Sequence, residues 1–185
     1  GFMKGLLARW RFIVQLVALI GFVLAPFQAF AATVTTFSDT LSDSRPSTVS
    51  NHTISWDVTD AGGIAESESF DVTMPAGFSF GSVVVGDIDV EEGGVDATLA
   101  ANCAGADQIS YSRTGQVMTF TICAGDGGAM DTADVATIKI GTNADTGTNQ
   151  ITNSTAASYT ISLGNGGTYT DTGEIQIAII AGVTT

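Results

Sequence analysis

The sequence predicts an all-β protein: an antiparallel β-sandwich, immunoglobulin-like in architecture, preceded by an N-terminal hydrophobic signal helix. Three observations carry this. Beyond residue 32, apolar side chains recur at every second position and form no helical stripe of useful length. Gly, Asn and Asp interrupt these runs about every ten residues, the turn spacing of a sandwich. The runs themselves are built from Val, Ile, Thr and Phe, which suit a pleated, half-buried surface.

The elements follow in order. Thr33–Phe37 is expected as the first strand, with a polar turn from Ser38-Asp39-Thr40 through Arg45-Pro46-Ser47. His52–Val58 places Ile54, Trp56 and Val58 on one face, and Asp60-Ala61-Gly62-Gly63 turns the chain. Ser69–Met74 alternates again, with Phe70, Val72 and Met74 inward, until Pro75-Ala76-Gly77 ends it. Phe78–Val85 reads as a further strand. Ile88–Val90 and Val95–Leu99 flank a turn at Glu91-Glu92-Gly93-Gly94. Ile109–Arg113 and Gln116–Cys123 form a hairpin across Thr114-Gly115, followed by a glycine-rich loop, Ala124–Met130. Val135–Ile140, Ala157–Leu163 and Glu174–Ile180 complete the set, the last with Ile175, Ile177 and Ile179 pointing one way. Trp56 precedes both cysteines, so the antibody-domain pattern of a Trp between two clamping cysteines is absent. Trp56 is read as core.

Residues 1–31 obey different rules. Lys4, Arg9 and Arg11 form a basic flank, Phe12 to Leu24 is apolar apart from Gln15, and Pro26 breaks the helix. Ala29-Phe30-Ala31 then gives the small-x-small pattern of signal peptidase sites, so cleavage is expected between Ala31 and Ala32. The remaining chain, residues 32–185, would be a secreted or cell-surface domain. Two other readings stay open. Left uncleaved, Phe12–Ala32 is long enough to anchor in a bilayer of about 30 Å, the chain's only route to a membrane. Gly1-Phe2 also resembles a prepilin junction, although Lys4, Arg9 and Arg11 would then sit inside an apolar helix at a cost. At the other end, the chain stops directly after a strong strand. This reads as a domain boundary, and the chain is expected to be either a fragment or the first module of a longer surface protein.

Charge narrows the partners. All 19 acids lie beyond residue 31, against only Arg45, Arg113 and Lys139, a net charge of −16 for that part. Nothing could neutralise phosphates, which excludes nucleic acid. The acids either solvate the surface or hold divalent cations. Cys103 and Cys123 are the only cysteines; in an exported chain they are expected to pair, two buried thiols being the alternative. With His52 as the only histidine, no zinc site can be assembled.

Catalytic patterns are thin, and the chain is not expected to be an enzyme. Gly77-Phe78-Ser79-Phe80-Gly81 matches G-x-S-x-G, but a valine run rather than a helix follows, and His52 precedes Ser79. Carboxylate pairs for glycoside chemistry could only come from Asp87, Asp89, Glu91 and Glu92. Calcium is the better use of such groups: one candidate cluster is Asp87, Asp89, Glu91 and Glu92, the other Asp126, Asp131 and Asp134. Neither has EF-hand spacing. Lys139, the only lysine beyond residue 31, could form an intramolecular isopeptide bond to an Asn or Asp, given a buried carboxylate beside it. Asn51-His52-Thr53 and Asn153-Ser154-Thr155 fit the glycosylation pattern.

Several segments together carry a family resemblance: Thr36-Phe37-Ser38-Asp39-Thr40-Leu41-Ser42, Ser50-Asn51-His52-Thr53-Ile54 and Phe70-Asp71-Val72-Thr73-Met74-Pro75-Ala76-Gly77-Phe78. Ile140-Gly141-Thr142-Asn143-Ala144, Asn149-Gln150-Ile151-Thr152-Asn153, Ser158-Tyr159-Thr160-Ile161-Ser162-Leu163 and Asp171-Thr172-Gly173-Glu174-Ile175 continue it. In this order they resemble the N-terminal β-sandwich of exported surface proteins from uncultivated, small-genome candidate-phyla bacteria. The resemblance implies a non-catalytic structural or adhesive module that contacts other envelope proteins or glycans, and it brings no catalytic residues. A carbohydrate-binding module is the first alternative and requires an exposed row of aromatics. The second is a subunit that self-assembles into a filament by donating Thr33–Phe37 as a strand.

Overall fold

In the computed structural model, residues 34–125, 127–166 and 169–182 are described. The signal segment, its Ala31–Ala32 junction and Asp126 lie outside them. The strands are β1 (Ser38–Leu41), β2 (Val49–Ser50), β3 (His52–Asp57), β4 (Ser69–Thr73), β5 (Ile88–Glu92), β6 (Val95–Ala97) and β7 (Leu99–Ala100). They continue with β8 (Ile109–Thr114), β9 (Val117–Ile122), β10 (Val135–Ile140), β11 (Ile151–Thr152), β12 (Ala157–Gly166) and β13 (Gly173–Ile179).

Two sheets result. One has the order β1-β3-β10-β5-β6, the other β13-β12-β4-β9-β8-β7, and β11 with β2 makes a small third pair. Pairing is antiparallel except between β7 and β8. This is the predicted all-β, antiparallel sandwich.

Period-2 alternation explains why the sheets face each other. In β3 the buried residues are His52, Ile54 and Trp56; in β9 they are Met118, Phe120 and Ile122. Trp56 of the first sheet meets Phe70 of the second edge-on at 5.3 Å, and Phe70 stacks on its cross-strand neighbour Phe120 at 5.0 Å. Each such side chain, fully withdrawn from water, contributes on the order of 2 kcal/mol.

Five expectations need correction. The first strand is Ser38–Leu41 rather than Thr33–Phe37. Its polar sequence hides it, because the inward-facing Asp39 is compensated by His52 across the pair. Val34 and Phe37 are core residues in an irregular lead-in. Phe78–Val85 is not a strand either. Phe78, Phe80 and Val83 are buried, but Ser79 bridges only to Thr152, and Val83 N–H donates back to Phe80 C=O in a tight turn. The segment plugs the core as a loop.

Glu91 and Glu92 belong to β5, and the turn is confined to Gly93-Gly94, both at positive φ (54° and 84°) where a side chain would be strained. Finally, Val95–Leu99 is broken at Thr98, where the chain leaves one sheet for the other. The β8–β9 hairpin turns one residue later than expected, at Gly115-Gln116.

Candidate functional site

The acids expected to form one cluster along β5 are driven apart by the strand's own geometry. Successive side chains point to opposite faces, so Asp89 and Glu91 face outward while Ile88 and Val90 face the core. Glu91 forms an ion pair with Lys139 of the neighbouring β10. This pair raises the lysine pKa. The carboxylate beside the lysine is that of Glu91, and Asp89 lies directly across the β5–β10 pair from it.

Asp87 precedes the strand and is only 2% exposed. Its carboxylate accepts hydrogen bonds from the N–H groups of Val84 (2.9 Å), Thr148 (2.7 Å) and Asn149 (2.8 Å), and from the Asn149 amide. Burial by itself would raise its pKa. The backbone donors outweigh that and hold it well below the usual carboxylate range. Asp87 is thus a latch between two loops and has no ligand position to offer.

The remaining acids regroup. Asp89 joins Asp96 and Asp145, whose N–H donates to Asp89, while Glu92 joins Asp131 and Asp134; in each group the oxygens lie within 4.8 Å of one another. Both mix residues that sequence spacing did not put together. Burial pushes Glu92 up; the hydrogen bond from Asp131 N–H (2.5 Å) opposes this, and repulsion from Asp134 and Asp131 adds to it. Either group could offer three oxygens to a hard cation. Calcium takes six to eight, so carbonyls and water would have to supply the rest.

His52 and Ser79 do not cooperate. The His52 side chain is fully buried, with Nδ1 2.7 Å from Asp39 Oδ2 and its ring edge-on to Phe78 at 6.2 Å. Ser79 is exposed, and among the described residues no α-helix follows it, only a single 3₁₀ turn at Val85–Asp87. Asn51 is occupied as well: its Oδ1 accepts from Thr142 N–H and from the Gln150 amide, and the side chain of Asn153 is bonded to the carbonyls of Asp43 and Arg45. Neither asparagine presents a free amide for glycosylation.

A second buried polar centre has no signal in the sequence. Asp171, fully buried, accepts from Thr59 N–H (2.7 Å), the Thr59 hydroxyl (2.7 Å), Asp60 N–H (3.1 Å) and the Tyr169 hydroxyl (3.0 Å). Asp60 in turn accepts from Thr170. The two loops exchange carboxylates across 110 residues or more, which only the folded chain reveals.

Cys103 and Cys123 form a disulfide with Cα atoms 5.2 Å apart. It ties the exposed loop after β7 to the buried end of β9. A cavity of about 420 Å³ lies where the chain enters the second sheet, lined by Val34, Ser162, Leu163, Thr172, Gly173 and Glu174.

No protein-family model and no curated protein matches the chain. Several solved structures resemble it. The bacterial hydrophobin BslA does so at 12% identity and a TM-score of 0.47, over 80% of this chain and 98% of that one. The major pilin subunit of Bacillus cereus does so at 13% identity and 0.48, over 79% and 40%. The N-terminal domain of a Streptococcus gordonii adhesin does so at 12% and 0.44, over 79% and 33%. The chain thus spans well under half of the pilin and adhesin structures.

Proposed function

We propose that this chain is an extracytoplasmic, non-catalytic β-sandwich module with a structural or adhesive role at the cell surface, exported by residues 1–31 and cleaved between Ala31 and Ala32. One observation carries the reading: the buried polar groups work as latches. Asp87, Asp171 and the Asp39–His52 pair are all buried, and each joins segments distant in sequence rather than facing a cleft. The Cys103–Cys123 bond supports an oxidising compartment.

The carbohydrate-binding alternative needs exposed aromatics. Among the described residues Trp56, Tyr111, Tyr169 and the five phenylalanines are buried, and Tyr159 is half-buried with its hydroxyl bonded to Ser154. Donation of the lead-in strand to a filament would require Val34 and Phe37 to leave the core.

The test is to alkylate native cells without reduction, fractionate them and measure the intact mass. The expected product is a surface-located chain beginning at Ala32, with Cys103 and Cys123 unmodified. A cytoplasmic chain alkylated at both cysteines would overturn the reading.

A further inference from the structure

The sheets differ in how their edges are closed. β6 and β7 are short and joined through Thr98, which closes one side of the sandwich. On the other side β1 is four residues long and turns Asp39 inward, where it is buried against His52. An inward charge is one of the devices by which an edge strand refuses a further strand. β13 has no inward charge, although the chain on either side of β1 touches both of its ends and Phe37 lies against Gly173. It is seven residues long, contains no Pro or Lys, and pairs with β12 in unbroken register from Gly173 to Ile179.

Its free side is defined by two hydrogen bonds. Val34 N–H donates to Thr172 C=O, and Ile180 N–H donates to Ser44 C=O, both at 2.8 Å. These partners lie on the side away from β12. In an extended strand the N–H and C=O of one residue point the same way, and the direction repeats every second residue. Glu174, Gln176 and Ala178 therefore present N–H and C=O to that same open side. Among the described residues β13 pairs with β12 alone, and no loop backbone bonds to these groups. The result is a slot of about five residues, bounded by Val34 at one end and Ser44 at the other.

The cavity of about 420 Å³ opens at the Thr172 end of this slot. Val34 and Leu163 make part of its wall apolar, and the exposed carboxylate of Glu174 adjoins them. An apolar wall with one acid matches a side chain that has an aliphatic stem and a cationic head. The chain as a whole is strongly acidic, so a cationic segment would also be steered toward it.

We propose that the β13 edge binds an extended segment of a partner protein by strand addition, with a Lys or Arg of that segment seated in the cavity beside Glu174. This deepens the adhesive reading and relies on it only for its biological meaning; peptide binding can fail while the surface location holds. Main-chain hydrogen bonds to Glu174, Gln176 and Ala178 supply affinity, and the cavity supplies selection.

The test uses the full chain and an acetylated, amidated peptide of alternating threonine and valine with one lysine. Binding is followed by fluorescence anisotropy and by amide hydrogen exchange. In the free protein the amides of Glu174, Gln176 and Ala178 should exchange at least tenfold faster than those of Ile175 and Ile177, and the peptide should slow them. Gln176→Pro removes one free N–H that no neighbouring strand uses, so the fold should survive while affinity falls at least tenfold. Glu174→Gln should weaken the lysine peptide and leave a lysine-free version unaffected. Binding unchanged by both substitutions, or no binding by a protein that keeps its melting temperature, would overturn the proposal. So would a dimer formed through β13 that excludes the peptide, since the edge would then serve a second copy.

Discussion

The indole N–H of Trp56 donates to the hydroxyl of Tyr169 at 3.0 Å, although the two lie 113 residues apart. Both are fully buried, and Tyr169 passes the chain of bonds on to Asp171. One aromatic pair thus ties the centre of the first sheet to the loop that launches β13. Burial and the adjoining carboxylate push the Tyr169 hydroxyl well above its ordinary pKa, so it remains a donor throughout the accessible range. Replacing Tyr169 by Phe leaves the ring in place but strands the Trp56 N–H and removes one donor from Asp171. The expected loss is about 2 kcal/mol, read from the urea midpoint at unchanged slope. A loss under about 0.5 kcal/mol would show that the network contributes little.

Asp87 predicts an acid-labile loop. Its pKa is lowered on folding, so below the ordinary value of 3.8 the unfolded chain binds the proton more readily. The stabilisation is complete above that value and is lost as pH falls through the lower folded value. Asp87→Asn should cost about 3 kcal/mol at neutral pH. The gap between variant and parent should narrow steadily below about pH 4. A gap independent of pH would assign the effect to packing alone.

Glu92 predicts the opposite sign. Its pKa is raised on folding, so between 4.5 and the raised value the folded chain holds more protons. Stability should therefore fall as pH rises through that window. Asp134→Asn, by removing one repelling neighbour, should stabilise the protein by a few tenths of a kcal/mol at pH 7 and low salt. The gain should shrink with added sodium chloride. Calorimetry with and without calcium completes the test: stabilisation by calcium beyond that of magnesium at equal ionic strength, lost in Asp134→Asn, would make Glu92, Asp131 and Asp134 cation ligands.

Reduction of the disulfide should be felt mainly through the unfolded chain. With Cys103 and Cys123 separated by 20 positions in sequence, the loop-entropy relation gives about 3 kcal/mol. Replacing both cysteines by Ser should lower the unfolding free energy by that order, with the far-UV circular dichroism of the folded state unchanged. An unaffected midpoint would mean that the loop is restrained elsewhere, for example by Asp107 N–H donating to Ala124 C=O (2.7 Å).

The strands most legible in the sequence are those whose alternation is apolar. β3, β4, β9, β10 and β13 follow their period-2 patterns closely, because one buried face fixes both the strand and its register. β1 was hidden because its inward residues include Asp39, a charge that becomes tolerable only beside His52. Phe78–Val85 misled for the opposite reason: an apolar run reads as a strand, yet these residues fill the core from a loop.

Composition and periodicity determined that this chain is an antiparallel sandwich with an acidic surface, since both depend on residue types and near neighbours. Apart from Asp131 with Asp134, which sequence spacing already put together, the grouping of the acids was decided by tertiary structure. Asp87 meets Thr148 and Asn149, Glu92 meets Asp131 and Asp134, and Asp171 meets Thr59, all across long stretches of chain. A carboxylate's role is set by the donors and charges within a few ångströms, and those neighbours are chosen by sheet order and loop packing. The open edge of β13 is likewise a consequence of strand order. The same seven residues at the centre of a sheet would have no free backbone to offer.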